Sequence, residues 1–537
     1  MMKSDKNTAQ YLLKLLEEHG VDYVFGYPGE QILPIYEALR ESKIKHVLTR
    51  HEQAAIHAAD SYARISGKCG VCLATAGPGA MNLVMGVSAC YKDNVPVLIL
   101  TGDVPTDVKG NDTFQDLPLN EVFKPICYKS YNAHSPEKLE NSINEAFMHF
   151  EEGITGPFHI NIPKNIQSKP MNMHHKVIHT NIIKPIKESD IQDTIKRIDE
   201  SEKPLIIAGY GLIYSGAMEE FIEFVEKSDI PVTTTWNARG IIPESDERNL
   251  GLTGNRGTIK ANYAAEHADL VIALGTRLSE RTASHINTEN IIQVNTNKEH
   301  DHGKTFYNYN VKDFLKKVNE TEFSKENSKW KNRINSKDDV PPRKLEETDK
   351  LHPETVIKNI LSHCDNNTTI AIDAGTIPTY FTTESKLEKS GQILFSGGLG
   401  PMGYAVPAAI GATYARHDDV IIAATGDGAI QMTIEELGVL STYKLPIIVI
   451  IINNNKLGII KQWQDMAGVP NYQVDLENPD FIKIAEAYDI KADNITSIEE
   501  LNEKLTLAIK EKKPHLFNVE VADVPIPLPV VKEKNSF

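Results

Sequence analysis

Short apolar runs alternate with longer amphipathic stretches along most of the chain. A first helix is predicted from Thr8 to Gly20, with Leu12, Leu15 and Leu16 facing inward and the glycine as its stop. Strands are predicted over 21–25, 46–49, 71–75 and 97–101, the last closing the series, with helices over 52–65 and from Ala80. A second alternating block begins near Ile191, with strands over 204–208, 231–235 and 270–274, and a third runs from Leu351 to about Val521. Loosened composition over 167–187, and dense charge around Pro341-Pro342 over 320–350, read as linkers. The expected fold is α/β, with three doubly wound, mostly parallel-sheet domains at 1–175, 188–320 and 350–522 and a tail at 523–537. In such sheets the ligand crevice lies beyond the carboxyl ends of the strands.

Composition narrows the class. At 537 residues the chain is too long for one core, and 41% apolar with 24% charged residues describes a globular protein. A formal charge of -16 argues against nucleic-acid binding. No segment reaches the roughly 18 apolar residues that span a bilayer, and residues 1–10 show no signal-peptide pattern, so cytoplasmic residence without a membrane partner is expected. Cys69 and Cys72 would point to opposite faces of a strand, which favours packing over a redox or zinc pair.

Candidate chemistry concentrates at two strand ends. The run 420–424 leads into Thr425-Gly426-Asp427-Gly428-Ala429-Ile430, after which Ile430, Ile434, Leu437 and Leu440 mark a helical stripe. A strand breaking at Gly-Asp-Gly into a helix presents backbone N–H groups and a helix dipole to an anion. The run 445–452 ends in Asn453-Asn454-Asn455-Lys456. Asp427, the Asn454 side chain and the Lys456 carbonyl would make a hard-oxygen site for Mg2+ bridging a diphosphate. Either motif alone is more often a turn or a loop. Each at the end of a buried strand, with a helix-length segment between, makes the ligand reading the better one.

The pairing, with Asn454 27 residues after Asp427, resembles the thiamine diphosphate motif. Arg50-His51-Glu52-Gln53-Ala54-Ala55 followed by Thr75-Ala76-Gly77-Pro78-Gly79-Ala80 resembles the pyrimidine-binding domain of the same enzymes, although a glutamate in a helix's first turn is ordinarily only a dipole partner. With Gly26-Tyr27-Pro28-Gly29, Thr113-Phe114-Gln115-Asp116, Leu399-Gly400-Pro401-Met402-Gly403 and Lys461-Gln462-Trp463-Gln464, nearly the whole chain is similar to the acetolactate synthase group. The resemblance implies pyrimidine-binding, central and diphosphate-binding domains. It implies that Glu52 hydrogen-bonds the aminopyrimidine and promotes its imino tautomer, that Met402 buttresses the cofactor, and that Gln115 and Phe114 line the reaction centre. Arg281 would hold the acceptor carboxylate and Trp463 would shape its pocket. Tyr27, Pro28, Gly29, Pro78, Gly375, Thr376, Gly400, Gly426, Gly428, Ala429 and Gly458 would contact the cofactor.

The implied reaction decarboxylates pyruvate and joins the two-carbon unit to a second 2-keto acid, towards branched-chain amino acids. Thiamine diphosphate and Mg2+ are the implied cofactors; a homodimer or homotetramer and a regulatory small subunit are the implied assemblies. FAD is left open. Gly209, Gly211 and Arg277 persist, whereas Gly254-Asn255-Arg256-Gly257 stands for Gly-Met-His-Gly and Val294-Asn295-Thr296-Asn297 for an acidic segment. Gly29-Glu30-Gln31 and Gly375-Thr376-Ile377-Pro378 also depart from the group, the former expected to set a charge near the cofactor. A relative with another donor or acceptor, or a non-catalytic regulatory paralogue, are the alternatives.

Overall fold

The computed structural model describes residues 6–171, 183–301, 304–323, 326–337, 345 and 347–526. Its named strands form three six-stranded sheets. The first comprises β1 (Tyr23–Gly26), β2 (Lys45–Leu48), β3 (Gly70–Ala74), β4 (Val97–Asp103), β5 (Lys129–Asn132) and β6 (Pro157–Pro163), in the order β2-β1-β3-β4-β6-β5. The second comprises β7 (Pro204–Ala208), β8 (Val232–Thr234), β9 (Asn249–Leu252), β10 (Leu270–Leu274), β11 (Ile291–Val294) and β12 (Thr305–Tyr307), in the order β12-β11-β10-β7-β8-β9. The third comprises β13 (Thr368–Ile372), β14 (Ile393–Leu394), β15 (Val420–Gly426), β16 (Ile447–Asn453), β17 (Lys491–Ile495) and β18 (His515–Glu520), in the order β14-β13-β15-β16-β18-β17. Pairing is parallel throughout these sheets, as the helix-length crossovers require.

Strand order places the crevices. It reverses between β1 and β3, between β7 and β10, and between β13 and β15. Adjacent crossovers there leave on opposite faces, which opens a gap beyond the carboxyl ends. The first gap lies between Tyr27-Pro28-Gly29 and Thr75 to Gly79, the second between Gly209-Tyr210-Gly211 and Gly275-Thr276-Arg277, and the third between Gly375-Thr376 and Gly426-Asp427.

Three expectations are corrected. The first series does not close at 97–101, because β5 and β6 follow; β6 is buried along its whole length beside β4, but its Gly-Pro start reads as a turn. The segment after Asp427 is not one helix but three pieces, Asp427–Ile430, Ile434–Glu436 and Leu437–Tyr443. The break lets Thr433 Oγ1 donate to the Gly403 carbonyl at 3.1 Å. The charged stretch 320–350 is not all linker: Ser328–Asn335 is a helix whose Trp330 and Ile334, one turn apart, are buried against the second sheet, with Trp330 Nε1 donating to the Pro204 carbonyl at 3.1 Å. The tail crosses the body at Ile526, which is buried and exchanges two hydrogen bonds with the Gln462 side chain. Residues 172–182 and 338–344 of the expected linkers, and 527–537 of the tail, lie outside the described residues.

Cys69 and Cys72 are unpaired and pack into different cores, as their strand geometry requires. The first and third sheets meet where helix Glu52–Ser66 crosses helix Ala405–Ala415. The crossing depends on Gly411, where a Cβ would stand 2.0 Å from the Ala58 carbonyl oxygen. At this junction the buried Arg64 binds Asp60 at 2.8 Å and Asp93 at 2.9 Å. The Tyr404 hydroxyl donates to Asp60 at 2.7 Å, and that of Tyr210 to the Arg64 carbonyl at 2.6 Å. Arg64 therefore ties all three sheets together, and losing one partner of such a buried pair costs about 3–5 kcal/mol.

Candidate active site

The first gap is tightly packed. Glu52 is the first residue of its helix, with the His51 ring capping the turn through Gln53 N–H at 3.1 Å. The Glu52 carboxyl is nearly buried and accepts a hydrogen bond from Asn82 Nδ2 at 2.9 Å. Glycines bring the neighbouring backbone against it. A Cβ at Gly79 would stand 3.0 Å from Glu52 Oε1, and one at Gly29 2.4 Å from Thr75 Cβ. Gln115 has a positive φ of 66° and packs on Gly77, while its Oε1 is buried without a partner. Phe114 beside it is 75% exposed.

The third gap opens instead into a cavity of about 1310 Å³ that reaches the second sheet. Asp427 sits at the end of β15, almost fully buried. Burial pushes its carboxyl above the usual aspartate range, and the chief opposing effect is a hydrogen bond from Asn478 Nδ2, 2.7 Å from Oδ2. Among the described residues no lysine or arginine forms an ion pair with it. Asn454 Oδ1 accepts from the Lys456 N–H at 3.2 Å in a tight turn, and both residues line the same cavity. Met402 reaches over the motif, its Cε 3.4 Å from where a Gly428 Cβ would be. A buried carboxylate held by amide and backbone N–H donors and paired with no lysine or arginine of the described residues, in one cavity with the Asn454 amide, fits a hard divalent cation.

Gly375, Thr376, Gly400, Met402, Gly426, Asp427, Gly428, Ala429, Asn454, Lys456, Gly458, Arg281 and Trp463 all line this cavity. Tyr27, Pro28, Gly29, Glu52, Pro78 and Gln115 do not; they form the separate first gap. Glu30 does not place a charge in that gap, because its exposed carboxyl is directed to Lys164 Nζ at 3.3 Å.

Several residues escape sequence reasoning. Asn478 precedes a proline and looks like a turn residue, yet it bonds Asp427, Asn453 and Asn455. Asp373, just past β13, accepts from Thr425 Oγ1 and Tyr404 N–H, each at 2.8 Å, which anchors the loop carrying Met402; burial raises its pKa to about 6. Its strand-end position was the signal that could have found it. Glu436 is fully buried, and its Oε1 accepts from the N–H groups of Arg50 and His51 at 2.9 Å each, directly before Glu52. Burial raises its pKa to about 8.

Family profiles match each sheet region. "Thiamine pyrophosphate enzyme, N-terminal TPP binding domain" matches residues 6–122, the central domain 191–318 and the "C-terminal TPP binding domain" 373–519. The chain is 38% identical to a probable acetolactate synthase large subunit of Methanocaldococcus jannaschii, over 97% of this chain and 93% of that protein. It is 36% identical to the probable counterpart of Methanococcus aeolicus, over 96% and 92%, and 33% identical to the acetolactate synthase large subunit of Buchnera aphidicola, over 96% and 94%. With a packed acid at one switch point and a buried aspartate on a wide cavity at another, the chain belongs to the thiamine pyrophosphate enzymes, in the acetolactate synthase large-subunit family.

Proposed function

We propose that the chain is a Mg2+- and thiamine diphosphate-dependent carboligase, which decarboxylates pyruvate and joins the two-carbon unit to a second 2-keto acid. The observation that carries this reading is the buried carboxylate of Asp427, paired with no lysine or arginine of the described residues, in one cavity with Asn454, Lys456, Met402, Arg281 and Trp463. Asp427, Asn454 Oδ1 and the Lys456 carbonyl would hold the metal, and the Gly428–Ala429 turn would wall the diphosphate. Gly375, Thr376, Gly400, Gly426 and Gly458 wall this end. Tyr27, Pro28, Gly29 and Pro78 would hold the pyrimidine ring of that cofactor, and Glu52 would be the carboxyl placed to hydrogen-bond it. When bound, thiamine diphosphate supplies an electron sink for decarboxylation. Met402 orients the cofactor, Gln115 reaches the reacting centre, Arg281 binds the acceptor carboxylate and Trp463 bounds its side chain.

Assembly follows from the separation of the two gaps. Exposed apolar side chains lie around both: Tyr27, Met81 and Phe114 near the first, Leu399, Met432, Trp463 and Met466 near the third. Apolar patches of this kind mark contact surfaces. A homodimer that sets the first gap of one chain against the third of another completes the site, and a homotetramer or a regulatory small subunit can be built on it. Flavin has no step here, and its fit is incomplete. Asn295 Nδ2 is spent on the Thr276 carbonyl at 3.1 Å and Asn297 Oδ1 on the Glu299 N–H at 3.0 Å, so neither position offers a carboxylate to a ribose.

The test is purification, absorbance and mass spectrometry for bound cofactors, then product analysis with pyruvate, Mg2+ and thiamine diphosphate. Acetolactate is the expected product. A folded, cofactor-loaded protein that forms no carboligation product from pyruvate with any 2-keto acid sinks the proposal.

A further inference from the structure

Two arginines on the cavity wall lie within electrostatic reach of one another and have no counter-ion among the described residues. Arg281 belongs to the short helix Glu280–Ala283, and Arg256 to the loop after β9. The loop is locked onto that helix. Asn255 N–H donates to the Arg281 carbonyl at 3.1 Å, and a Cβ at Gly254 would lie 2.1 Å from the same oxygen. Asn262 closes the loop, accepting from Gly254 N–H at 2.8 Å and donating to the Gly254 carbonyl at 3.0 Å.

Among the described residues neither guanidinium forms a hydrogen bond or ion pair. The carboxylates of the cavity are committed elsewhere: Asp93 to Arg64 at 2.9 Å, and Asp427 to Asn478 at 2.7 Å. Glu280 lines the cavity too but pairs with neither arginine. Burial, then the Arg281 charge, lowers the Arg256 pKa, yet an arginine remains protonated at neutral pH. The partly buried Arg256 and the exposed Arg281 thus set two positive charges, close enough to repel one another, on the wall of the cavity that Trp463 and Met402 also line. One carboxylate of an acceptor neutralises only one of them.

We propose that Arg256 and Arg281 form a dianion clamp, so that the acceptor site takes a 2-keto acid carrying a second carboxylate. This inference rests on the carboligase reading. Pyruvate loses CO2, its former keto carbon forms a C–C bond to the acceptor's keto carbon, and the acceptor's carbonyl oxygen takes up one proton to become a hydroxyl. With 2-oxoglutarate as the probe, one pyruvate and one proton yield one CO2 and a 2-acetyl-2-hydroxy dicarboxylate.

The test supplies pyruvate with equal concentrations of 2-ketobutyrate and 2-oxoglutarate to the enzyme loaded with Mg2+ and thiamine diphosphate, and quantifies both adducts by mass spectrometry. The dicarboxylic adduct should predominate, and Arg256→Met should shift the ratio towards the monocarboxylic adduct by on the order of tenfold. A ratio unmoved by the substitution, or a wild type that forms the monocarboxylic adduct and no dicarboxylic one, overturns the clamp. A second arm uses calorimetry of glutarate against butyrate, which does not depend on turnover. Glutarate binding tighter by roughly tenfold, with the preference lost in Arg256→Met, upholds the clamp even if carboligation fails; equal affinities overturn it. A nucleotide that co-purifies and is released by Arg256→Met also overturns it, because the arginines then hold a diphosphate.

Discussion

The first and third gaps occupy equivalent places in similarly wound sheets, yet they differ in almost every physical respect. At the first, glycines bring backbone and side chains into contact around Glu52, whose carboxyl has an amide partner in Asn82. At the third, Asp427 is equally buried but faces a cavity wide enough to reach the second sheet. One gap packs a carboxyl against an amide partner, and the other turns a buried carboxylate towards open space. The difference teaches that a repeated topology fixes where a crevice opens, while the residues at the strand ends decide what enters it.

The comparison breaks most sharply by disabling one gap at a time. Asp427→Ala should weaken metal-dependent cofactor binding by roughly 100-fold or more, read by calorimetry, because even outer partners of metal ligands matter on that scale. Glu52→Gln should bind cofactor normally and lose about 10²–10⁴-fold in kcat. Co-expressing the two inactive variants then tests whether the gaps cooperate between subunits: a mixed dimer has one site with both gaps intact, so about a quarter of wild-type activity should return. No recovery in a demonstrated mixed dimer would place both halves in the same chain.

Within the third gap, Met402→Ala should reduce kcat by about 10–100-fold with little change in cofactor affinity, since a misplaced reactive group costs that much. At the first gap, Asn82→Ala should have a smaller effect, about tenfold in kcat, by freeing the Glu52 carboxyl to rotate. An unchanged pH–rate profile in that variant would argue that Asn82 does not position Glu52.

The smallest expected effect concerns the contact between the gaps. Burial raises Glu436 from the usual value of 4.5 to about 8, so the folded chain holds a proton that the unfolded chain releases. Its contribution to stability is therefore greatest below pH 4.5 and declines as pH rises towards about 8. Glu436→Gln should flatten this part of the thermal-melt profile, with only a few-fold change in turnover. Parallel profiles for the two proteins would remove Glu436 as its source.

Much of this was legible in the residues. β7 and β10 match the predicted strands because long aliphatic runs buried on both faces leave little ambiguity. Gly-Asp-Gly and the asparagine run were readable because each ends such a strand. β6 was missed because its Gly-Pro start imitates a turn, and helix Ser328–Asn335 because two buried side chains among charged neighbours are a weak signal. Asn478 carries no local signal, since its partner Asp427 lies 51 positions away.

The sequence by itself determined the alternating elements, the three sheets and the chemical types at their strand ends, because periodicity and turn residues act over a few neighbouring positions. Only in the packed fold do Glu52 and Asp427 occupy different crevices, Glu436 dock beside Glu52, and the Arg281 charge act on Arg256. Those relations depend on how sheets pack across hundreds of positions, and burial and charge pairing exist only once that packing is made.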